Sequence, residues 1–438
     1  MFWLELLVVL VCIFIGARLG GVGLGVMGGV GLAVLAFGFQ LQPTTPPIDV
    51  MLMIVAVITA AGALQAAGGM DYLVQVAERM LRRNPDRITF MGPVVTYLFT
   101  FCAGTGHVAY SVLPVIAEVA RESGVRPERP MSIAVIASQQ AITASPISAA
   151  TVALLGMLGG YDIQLIDILM VSIPATFLGC MLGAVAASRM GKDLNQDPEY
   201  ASRVEQGLVP PVTEHMEHHA VNKNAKRSVF LFLAAAFVVV LLGTFPELRP
   251  AWETDGKLQR MAMPVAIEIV MLTTAALIIL LSKVNVDDVV KGNVFIAGAQ
   301  AVIGIFGIAW MGDTFFAGNM ELLSGSIKGM VTSAPWLFAF ALFLLSILLY
   351  SQAATVRALM PLGIALGIPP YSLIAMFPAV NGYFFIPNYG TIIAAINFDR
   401  TGTTRIGKYI LNHSFMIPGL VSTVSAVVIG FVLIQFLF

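Results

Sequence analysis

Long apolar stretches recur along the chain, each close to the roughly 20 residues that an α-helix needs to cross a bilayer. Short segments with charged residues, proline or glycine separate them, as is typical of the loops between membrane spans. The pattern therefore predicts ten crossings. They lie at 2–16, 21–39, 48–69, 131–157, 163–188, 228–245, 263–282, 294–312, 370–397 and 409–437.

Two further apolar stretches, 88–120 and 335–367, contain a polar interruption and do not fit as simple crossings. The interruptions read CAGTGH and SQAATVR. Irregular backbone at membrane depth persists only where protein or water satisfies its polar groups. We therefore predict two re-entrant helical hairpins whose tips line a site.

Each predicted hairpin is followed by a crossing that is broken in its middle. The break in 131–157 lies near Pro146, and the break in 370–397 lies near Pro387. Both breaks are rich in Asn, Ser, Thr or Gly. Many secondary transporters build their substrate site from discontinuous helices of this kind at the membrane midplane.

The same order of elements occurs twice. We assign a first repeat to 1–188 and a second to 228–438, joined by the polar cytoplasmic linker 189–227. An amphipathic stretch precedes each hairpin, at 71–84 and, less regularly, at 313–333. The predicted fold is an all-α polytopic membrane protein of two inverted five-span repeats, each with a re-entrant hairpin and a discontinuous helix.

The positions of the basic residues orient this arrangement. With the N-terminus outside, the inside loops hold nineteen of the 24 Lys and Arg residues and the outside loops four, while Arg357 lies within a hairpin. Cytoplasmic loops of membrane proteins are enriched in Lys and Arg. We therefore expect both termini on the periplasmic side of the cytoplasmic membrane. The first residues lack the basic region of a cleaved signal peptide, so 2–16 is expected to remain as a span.

Composition agrees with a bilayer protein, since 58% of residues are apolar, 11% are charged and the mean hydropathy is +0.87. A net charge of −1 gives no indication of a nucleic-acid partner. Cys12, Cys102 and Cys180 are widely spaced in apolar runs, which is typical of buried thiols. Three histidines within 215–219 could suggest a metal site, but they lie in the linker without a further ligand set. We therefore predict neither a metal nor a cofactor.

Arg357 is the most informative single residue, because an arginine at the bilayer centre costs about 2.5–3.5 kcal/mol on insertion scales. One interpretation is a bidentate clamp on a substrate carboxylate, which suits the planar guanidinium. The alternative is a structural arginine that pairs with a backbone carbonyl or reaches the outer surface. Both interpretations remain open at the level of the sequence.

Neutral hydrogen-bonding side chains accompany Arg357 at the tips and breaks. The helices that begin there would point N-terminal ends, each equivalent to roughly +0.5 charge, toward the midplane. Arginine and helix ends together could balance a dianion, although many Ser and Thr side chains in spans bond to their own helix. Besides Arg357, the candidate substrate-binding residues are Thr105, His107, Ser138, Gln139, Thr143, Ser145, Ser351, Gln352, Thr355, Asn381, Tyr383 and Asn388.

His107 has three interpretations from its position just past the first tip. It could donate to an anion, carry a proton, or pack as a buried neutral histidine. No pair of carboxylates is visible in the middle of a predicted span, which argues against a cation as the principal substrate.

Six segments together resemble the Dcu family of anaerobic C4-dicarboxylate carriers from Gram-negative bacteria, over nearly the whole chain. The resemblance implies a cytoplasmic-membrane transporter that exchanges external fumarate, malate or aspartate for internal succinate. It also implies a site formed by two hairpins and two broken helices, in homodimers with elevator-type motion. The segments are FWLELLVVLVCIFIGARLGGVGLGVMGG, DYLVQVAERMLRRNP, TFCAGTGHVAYSVLPVIAEVA, ASQQAITASPISAATVALL, SQAATVRALMPLG and NGYFFIPNYGT.

Two other classes of function remain as alternatives. A carrier of the same architecture could take a monocarboxylate, citrate, or sodium in exchange for protons, because only one arginine is visible for a substrate with two carboxylates. An intramembrane enzyme is the other class. The chain contains no HExxH or GxSxG motif and no Cys/His cluster at membrane depth, so we expect a transporter and not an enzyme.

Overall fold

The computed structural model of the chain describes residues 1–19, 22–46, 48–209, 223–254, 257–319, 334, 336–349, 351–387, 389–409 and 411–438. These residues are mostly helical and include several long apolar helices, which confirms the predicted class of a polytopic membrane protein. The repeat relationship and the re-entrant course of the hairpins stay predictions. The histidines within 215–219 and Asn388 lie outside the described residues.

Nineteen α-helices are numbered here in chain order among the described residues. They are α1 (Phe2–Leu19), α2 (Gly23–Ala33), α3 (Ile48–Ala66), α4 (Gly69–Arg82), α5 (Ile88–Ala103), α6 (Ala109–Glu122), α7 (Glu128–Ala144), α8 (Ala149–Leu158), α9 (Leu165–Ser188), α10 (Pro198–Glu205), α11 (Lys223–Thr244), α12 (Met263–Ser282), α13 (Val286–Lys291), α14 (Asn293–Gly318), α15 (Trp336–Leu349), α16 (Gln352–Ala365), α17 (Pro370–Met376), α18 (Gly390–Phe398) and α19 (Met416–Leu437).

Within the described ranges, six helical segments are long and apolar enough to cross a membrane, or seven if the bent pair α3–α4 counts as one span. Shorter apolar helices cover Phe2–Gly16, Gly25–Gly38 and Trp336–Ile347. The ten-span topology therefore stays a prediction. The last helix begins at Met416 and not at 409, because Ile406 and His413 pair in an isolated antiparallel bridge before it.

The chain bends by 72° between α3 and α4, where the sequence predicts a surface-lying amphipathic stretch. Gly68 adopts the left-handed conformation, with φ of 77°, at this corner. Leu73, Ala77 and Leu81 of α4 are buried on one face, as their spacing predicts. The equivalent stretch 313–333 begins inside α14, and its part from 320 onward lies outside the described residues.

Both predicted hairpins consist of two helices that contact each other. In 88–120 the turn 104–108 separates α5 from α6, and in 335–367 the helices are α15 and α16. The crossing predicted at 131–157 is divided into α7 and α8 by residues 145–148. The crossing predicted at 370–397 begins as α17, continues through two 3₁₀ turns and ends as α18.

Helix contacts divide the molecule into two groups. The first group consists of α1, α2, α3, α11, α12 and α14, which pack on one another. The second group consists of the two hairpins, the two broken helices, α9 and α19. The groups touch where α14 packs on α16, where α3 packs on α8 and where α11 packs on α9, and α4 connects them by packing on both α11 and the first hairpin. The tip of the first hairpin, α8 and α16 therefore lie along this boundary, whereas the break after α17 contacts helices of the second group.

The loops on the two sides of the helices differ. At one end of the helices, residues 189–209 of the predicted linker pack beside the start of α7: Arg126 pairs with both Glu128 and Asp197, and Arg129 pairs with Asp193. At the opposite end of α11, the loop between α11 and α12 adds two antiparallel strands, β1 (Ala251–Thr254) and β2 (Lys257–Arg260).

Candidate functional site

Buried amide side chains form one hydrogen-bonded chain where the second hairpin meets both broken helices. Gln352 Nε2 donates to Gln139 Oε1 at 2.9 Å and to Asn381 Oδ1 at 3.0 Å. Asn381 Nδ2 donates to Gln140 Oε1 at 3.1 Å, and Gln140 Nε2 donates to Thr423 Oγ1 at 3.0 Å. We call these five residues the amide chain. It joins α16, α7, the break after α17, and α19.

Local sequence explains how the members of the amide chain reach one another. The Ser351 hydroxyl accepts a hydrogen bond from the Ala354 N–H, so Ser351 caps α16 and places Gln352 at its first residue. Asn381 lies between two 3₁₀ turns, where Pro378 prevents a regular helix from continuing. Gln139 lies in the fully packed interior of α7, with 1% of its surface exposed.

Two glycines at the tip of the first hairpin lie against Gln139 and against the break between α7 and α8. A Cβ atom on Gly106 would lie only 2.4 Å from Gln139 Nε2, and one on Gly104 would lie 2.9 Å from Ile147 Cγ1. Gly104 also has a φ of 70°, which favours glycine. Gln139 is therefore the residue at which both hairpin tips meet.

The break between α7 and α8 is held by serine hydroxyls. Ser145 Oγ donates to the Phe101 carbonyl at 2.7 Å, which joins the break to the first helix of the first hairpin. Ser148 Oγ donates to the Ile142 carbonyl at 2.6 Å and accepts from the Thr151 N–H at 3.2 Å, so it caps α8. These bonds satisfy backbone groups that the interruption leaves without helical partners.

The break between α17 and α18 is held from two sides. The Gly382 N–H donates to Ser346 Oγ at 2.7 Å, and Tyr383 Oη donates to the Val135 carbonyl at 3.3 Å. The Tyr383 and Tyr389 rings contact each other, with centroids 4.9 Å apart. The break is thus fixed between α15 and α7.

Arg357 is buried, with 5% of its surface exposed, but the amide chain does not run through it. It follows Gln352 by five residues, which places the two side chains about 140° apart around α16. On its side of the helix Arg357 attracts the carboxylate of Asp313 in α14. The structure therefore brings Gln139, Gln352 and Asn381 together and places Arg357 at the neighbouring boundary with α14.

Three of the predicted site residues bond to their own helix. Ser138 Oγ donates to the Val135 carbonyl at 2.8 Å, Thr143 Oγ1 to the Gln140 carbonyl at 2.8 Å, and Thr355 Oγ1 to the Ser351 carbonyl at 2.9 Å. Such bonds are common for Ser and Thr in membrane helices. Whether these residues contact a substrate stays a prediction.

Thr105 lines a cavity of about 120 Å³ that is enclosed by α3, α14, the first hairpin tip and α8. Its other walls are almost entirely apolar, with Met53, Ile147 and Val152 among them. This cavity alone does not suit a dianion, which needs hydrogen-bond donors. His107 lies in the 3₁₀ turn Gly106–Val108, and its role stays a prediction.

Sequence reasoning missed Gln140, Ser346 and Thr423. The pair QQ within a crossing is a usable signal for Gln140, since two adjacent amides inside a span require two separate sets of partners. Ser346 and Thr423 are single hydroxyls in apolar helices, and nothing in the sequence separates them from packing residues.

The electrostatic character of the site comes from neutral donors and helix ends. None of the five members of the amide chain is charged. Helix α8 begins at the first break and α16 begins at Gln352. Helix α18 begins beside the first hairpin, because a Cβ atom on Gly390 would lie 2.2 Å from Tyr110 Oη. Helix N-termini favour anions.

A polytopic helical chain whose broken helices enclose a buried polar site belongs to the class of membrane transporters. A family model described as "Anaerobic c4-dicarboxylate membrane transporter" matches residues 1–438. The chain therefore belongs to the DcuA/DcuB family, which comprises transporters and not enzymes.

Individual relatives agree with this assignment. The chain is 45% identical over 430 residues to the C4-dicarboxylate transporter DcuA of Wolinella succinogenes, covering 98% of each protein. It is 40% identical over 444 residues to the anaerobic C4-dicarboxylate transporter DcuB of Escherichia coli O157:H7, covering 99% of this chain and 98% of that protein. Its fold resembles the crystal structure of the Alcanivorax borkumensis YdaH transporter, with a TM-score of 0.58 and 14% identity over 96% of this chain and 98% of that one.

Proposed function

We propose that this protein exchanges C4-dicarboxylates across the cytoplasmic membrane, taking up fumarate, malate or aspartate and releasing succinate. The names of the relatives and the family description support a C4-dicarboxylate as the substrate. One structural observation carries the position of the site: Gln139 contacts the tip of the first hairpin and is hydrogen-bonded to the tip of the second.

In this proposal Arg357 binds one carboxylate of the substrate and the amide chain binds the other. The guanidinium suits the first task because its planar fork matches a carboxylate. Gln352 and Asn381 bond to each other and to other amides, so their donors are satisfied before substrate arrives. Substrate would replace these neutral partners with charge-assisted hydrogen bonds, which are stronger.

In this proposal transport follows an alternating-access mechanism of the elevator type. The two helix groups would move relative to each other at their boundary. The hairpins and broken helices would move as one body against α3 and α14. The contacts of α3 with α8 and of α14 with α16 cross the boundary, so they would change during this movement. We further propose that both termini face the periplasm and that the protein works as a homodimer.

Counterflow in proteoliposomes tests the proposal. Vesicles are loaded with unlabelled succinate and exposed to labelled succinate, and a panel of C4 acids, monocarboxylates and citrate is then offered as competitors. We expect accumulation of label that fumarate, malate or aspartate inhibits and acetate does not. Counterflow that responds to citrate or a monocarboxylate alone would contradict the substrate assignment, and the absence of any counterflow would contradict exchange.

A further inference from the structure

A cavity of about 380 Å³ lies away from the amide chain, at the helix ends that the charge pattern predicts to be outer. One wall comes from the end of α8 and the start of α9, including Gly159 and Leu165, and the other from the end of α11 and the start of α12, including Gly243 and Met263. These walls belong to the two different helix groups. An occupant of the cavity would therefore touch both groups at once.

Arg249 lines this cavity with much of its hydrogen-bonding capacity unused. Its Nη1 donates to the Met261 carbonyl at 3.0 Å, which is its one side-chain hydrogen bond within the described part of the chain. Its Nε is buried without an acceptor there. A guanidinium has five N–H donors, and a buried donor without an acceptor is unfavourable.

A second arginine increases the positive charge beside Arg249. Arg260, at the end of β2, donates to the Pro246 carbonyl at 2.7 Å and to the Arg249 carbonyl at 3.3 Å. Burial, and after it the charge of Arg260, lowers the pKa of Arg249. No carboxylate of the described residues forms an ion pair with either arginine.

We propose that this outer cavity binds an oxyanion, either a carboxylate or a phosphate, through Arg249 with Arg260 beside it. Such an anion supplies the acceptors that the guanidinium lacks and reduces the repulsion between the two arginines. Asp162 also lines the cavity and is exposed, so its negative charge opposes binding and should lower the affinity for an anion.

Two sources can supply such an oxyanion. A free anion can reach the cavity from the outer solution, and a lipid headgroup can reach it from the bilayer. The second source is consistent with the exposed Phe245 and Trp252 of the same loop, since aromatic side chains are common at the membrane interface.

Binding is measured on purified full-length protein in neutral detergent. Inorganic phosphate is titrated while the thermal unfolding midpoint is followed, and retention of phosphatidylglycerol relative to phosphatidylcholine is followed by native mass spectrometry. The variants are Arg249→Gln, the charge-preserving Arg249→Lys, and Asp162→Asn. Asn suits the left-handed backbone of residue 162, where φ is 58°. Lys291→Gln, an exposed basic residue at the end of α13, is the matched control.

We expect Arg249→Gln to weaken binding of phosphate or phosphatidylglycerol by about tenfold, since a charge-assisted hydrogen bond is lost. Arg249→Lys should fall in between, Asp162→Asn should tighten binding, and Lys291→Gln should match the parent protein. A response to phosphate alone supports a free anion, and selective retention of phosphatidylglycerol supports a lipid headgroup. Equal binding by the parent protein, Arg249→Lys and Asp162→Asn would overturn the proposal, even if Arg249→Gln fails to fold.

Discussion

Gln352 donates a hydrogen bond to Gln139 at 2.9 Å although 213 residues separate them in the chain. Through this bond the tip of the second hairpin is tied to the first broken helix. The same Gln352 amide reaches Asn381 in the second break, so a single side chain connects three of the four interrupted elements. A hydrogen bond between the two halves of the chain is therefore central to the candidate site.

Replacement of Gln352 by Leu should abolish substrate exchange. The change removes both donors and leaves Gln139 Oε1 and Asn381 Oδ1 buried without them, at a cost of about 1–3 kcal/mol for each unsatisfied group. Counterflow of labelled succinate measures exchange, and thermal unfolding in detergent measures stability. Gln259→Leu is the control, because Gln259 is exposed on β2. Exchange by Gln352→Leu at the level of this control would contradict a role for the amide chain.

Replacement of Arg357 by Gln should eliminate dicarboxylate binding and leave a folded protein. Arg357→Lys keeps the charge but lacks the bidentate fork, so it should bind more weakly than the parent protein. Binding of succinate to purified protein is the measurement. Near-normal binding by Arg357→Gln would refute the clamp.

Asp313 provides the control that separates a clamp from a structural ion pair. If Arg357 only neutralises the nearby Asp313, the double variant Arg357→Gln/Asp313→Asn should recover transport, because no unpaired charge is left. If Arg357 binds substrate, the double variant should be as inactive as Arg357→Gln alone. We expect the second result.

The sequence indicated the interruptions through clusters of Asn, Ser, Thr and Gly inside apolar runs, because polar groups there need a buried partner. Proline alone is not sufficient, since Pro93 and Pro174 lie inside α5 and α9 without ending them. In the structure, helices end at the turn around Gly104, at residues 145–148 near Pro146 and at the irregular stretch 377–387 that contains Pro387, while the re-entrant course of the hairpins stays a prediction. The same reasoning named Gln139, Gln352 and Asn381. It could not show that their amides bond to one another, since those contacts depend on how distant helices pack.

Other features had no signal in the sequence. Asp313 lies near a predicted span end, yet in the structure it lies inside α14 and attracts Arg357. Serines and threonines were equally ambiguous: Ser145 connects two elements, whereas Ser138 bonds to its own helix. Whether such a side chain connects two elements or bonds to its own helix depends on the direction in which it points. The amino-acid composition does not determine that direction.

Gly106→Ala should reduce exchange strongly, because the new methyl group would lie 2.4 Å from Gln139 Nε2. Gln139 is held by Gln352, so the side chain cannot move away without breaking the bond between the two tips. Counterflow is the measurement, with binding of succinate as a second one. Gly160→Ala is the control, since a Cβ atom there has no neighbour within 4 Å. Equal activity of both variants would show that the first tip does not need its close approach.

Asp197→Asn should lower stability at neutral pH by about 2 kcal/mol, because Arg126 loses a charged partner at a site where both are buried. Burial raises the pKa of Asp197, but hydrogen bonds from Arg126 and from the N–H groups of Tyr200 and Glu199 outweigh it, so the pKa lies below its ordinary 3.8. Asn preserves the cap on α10.

A folded-state pKa that is lowered adds stability above the unfolded pKa, and this stability is lost as the pH falls through the folded value. The difference in unfolding midpoint between the parent protein and Asp197→Asn should therefore be full near pH 7 and should shrink as the pH drops below about 4. Asp193→Asn is the control: its pair with Arg129 leaves 69% of the Asp193 side chain exposed, and such a pair contributes less than about 1 kcal/mol. If the two variants lose the same stability at every pH, the ion pair between Arg126 and Asp197 does not hold the loop before α10 against α7.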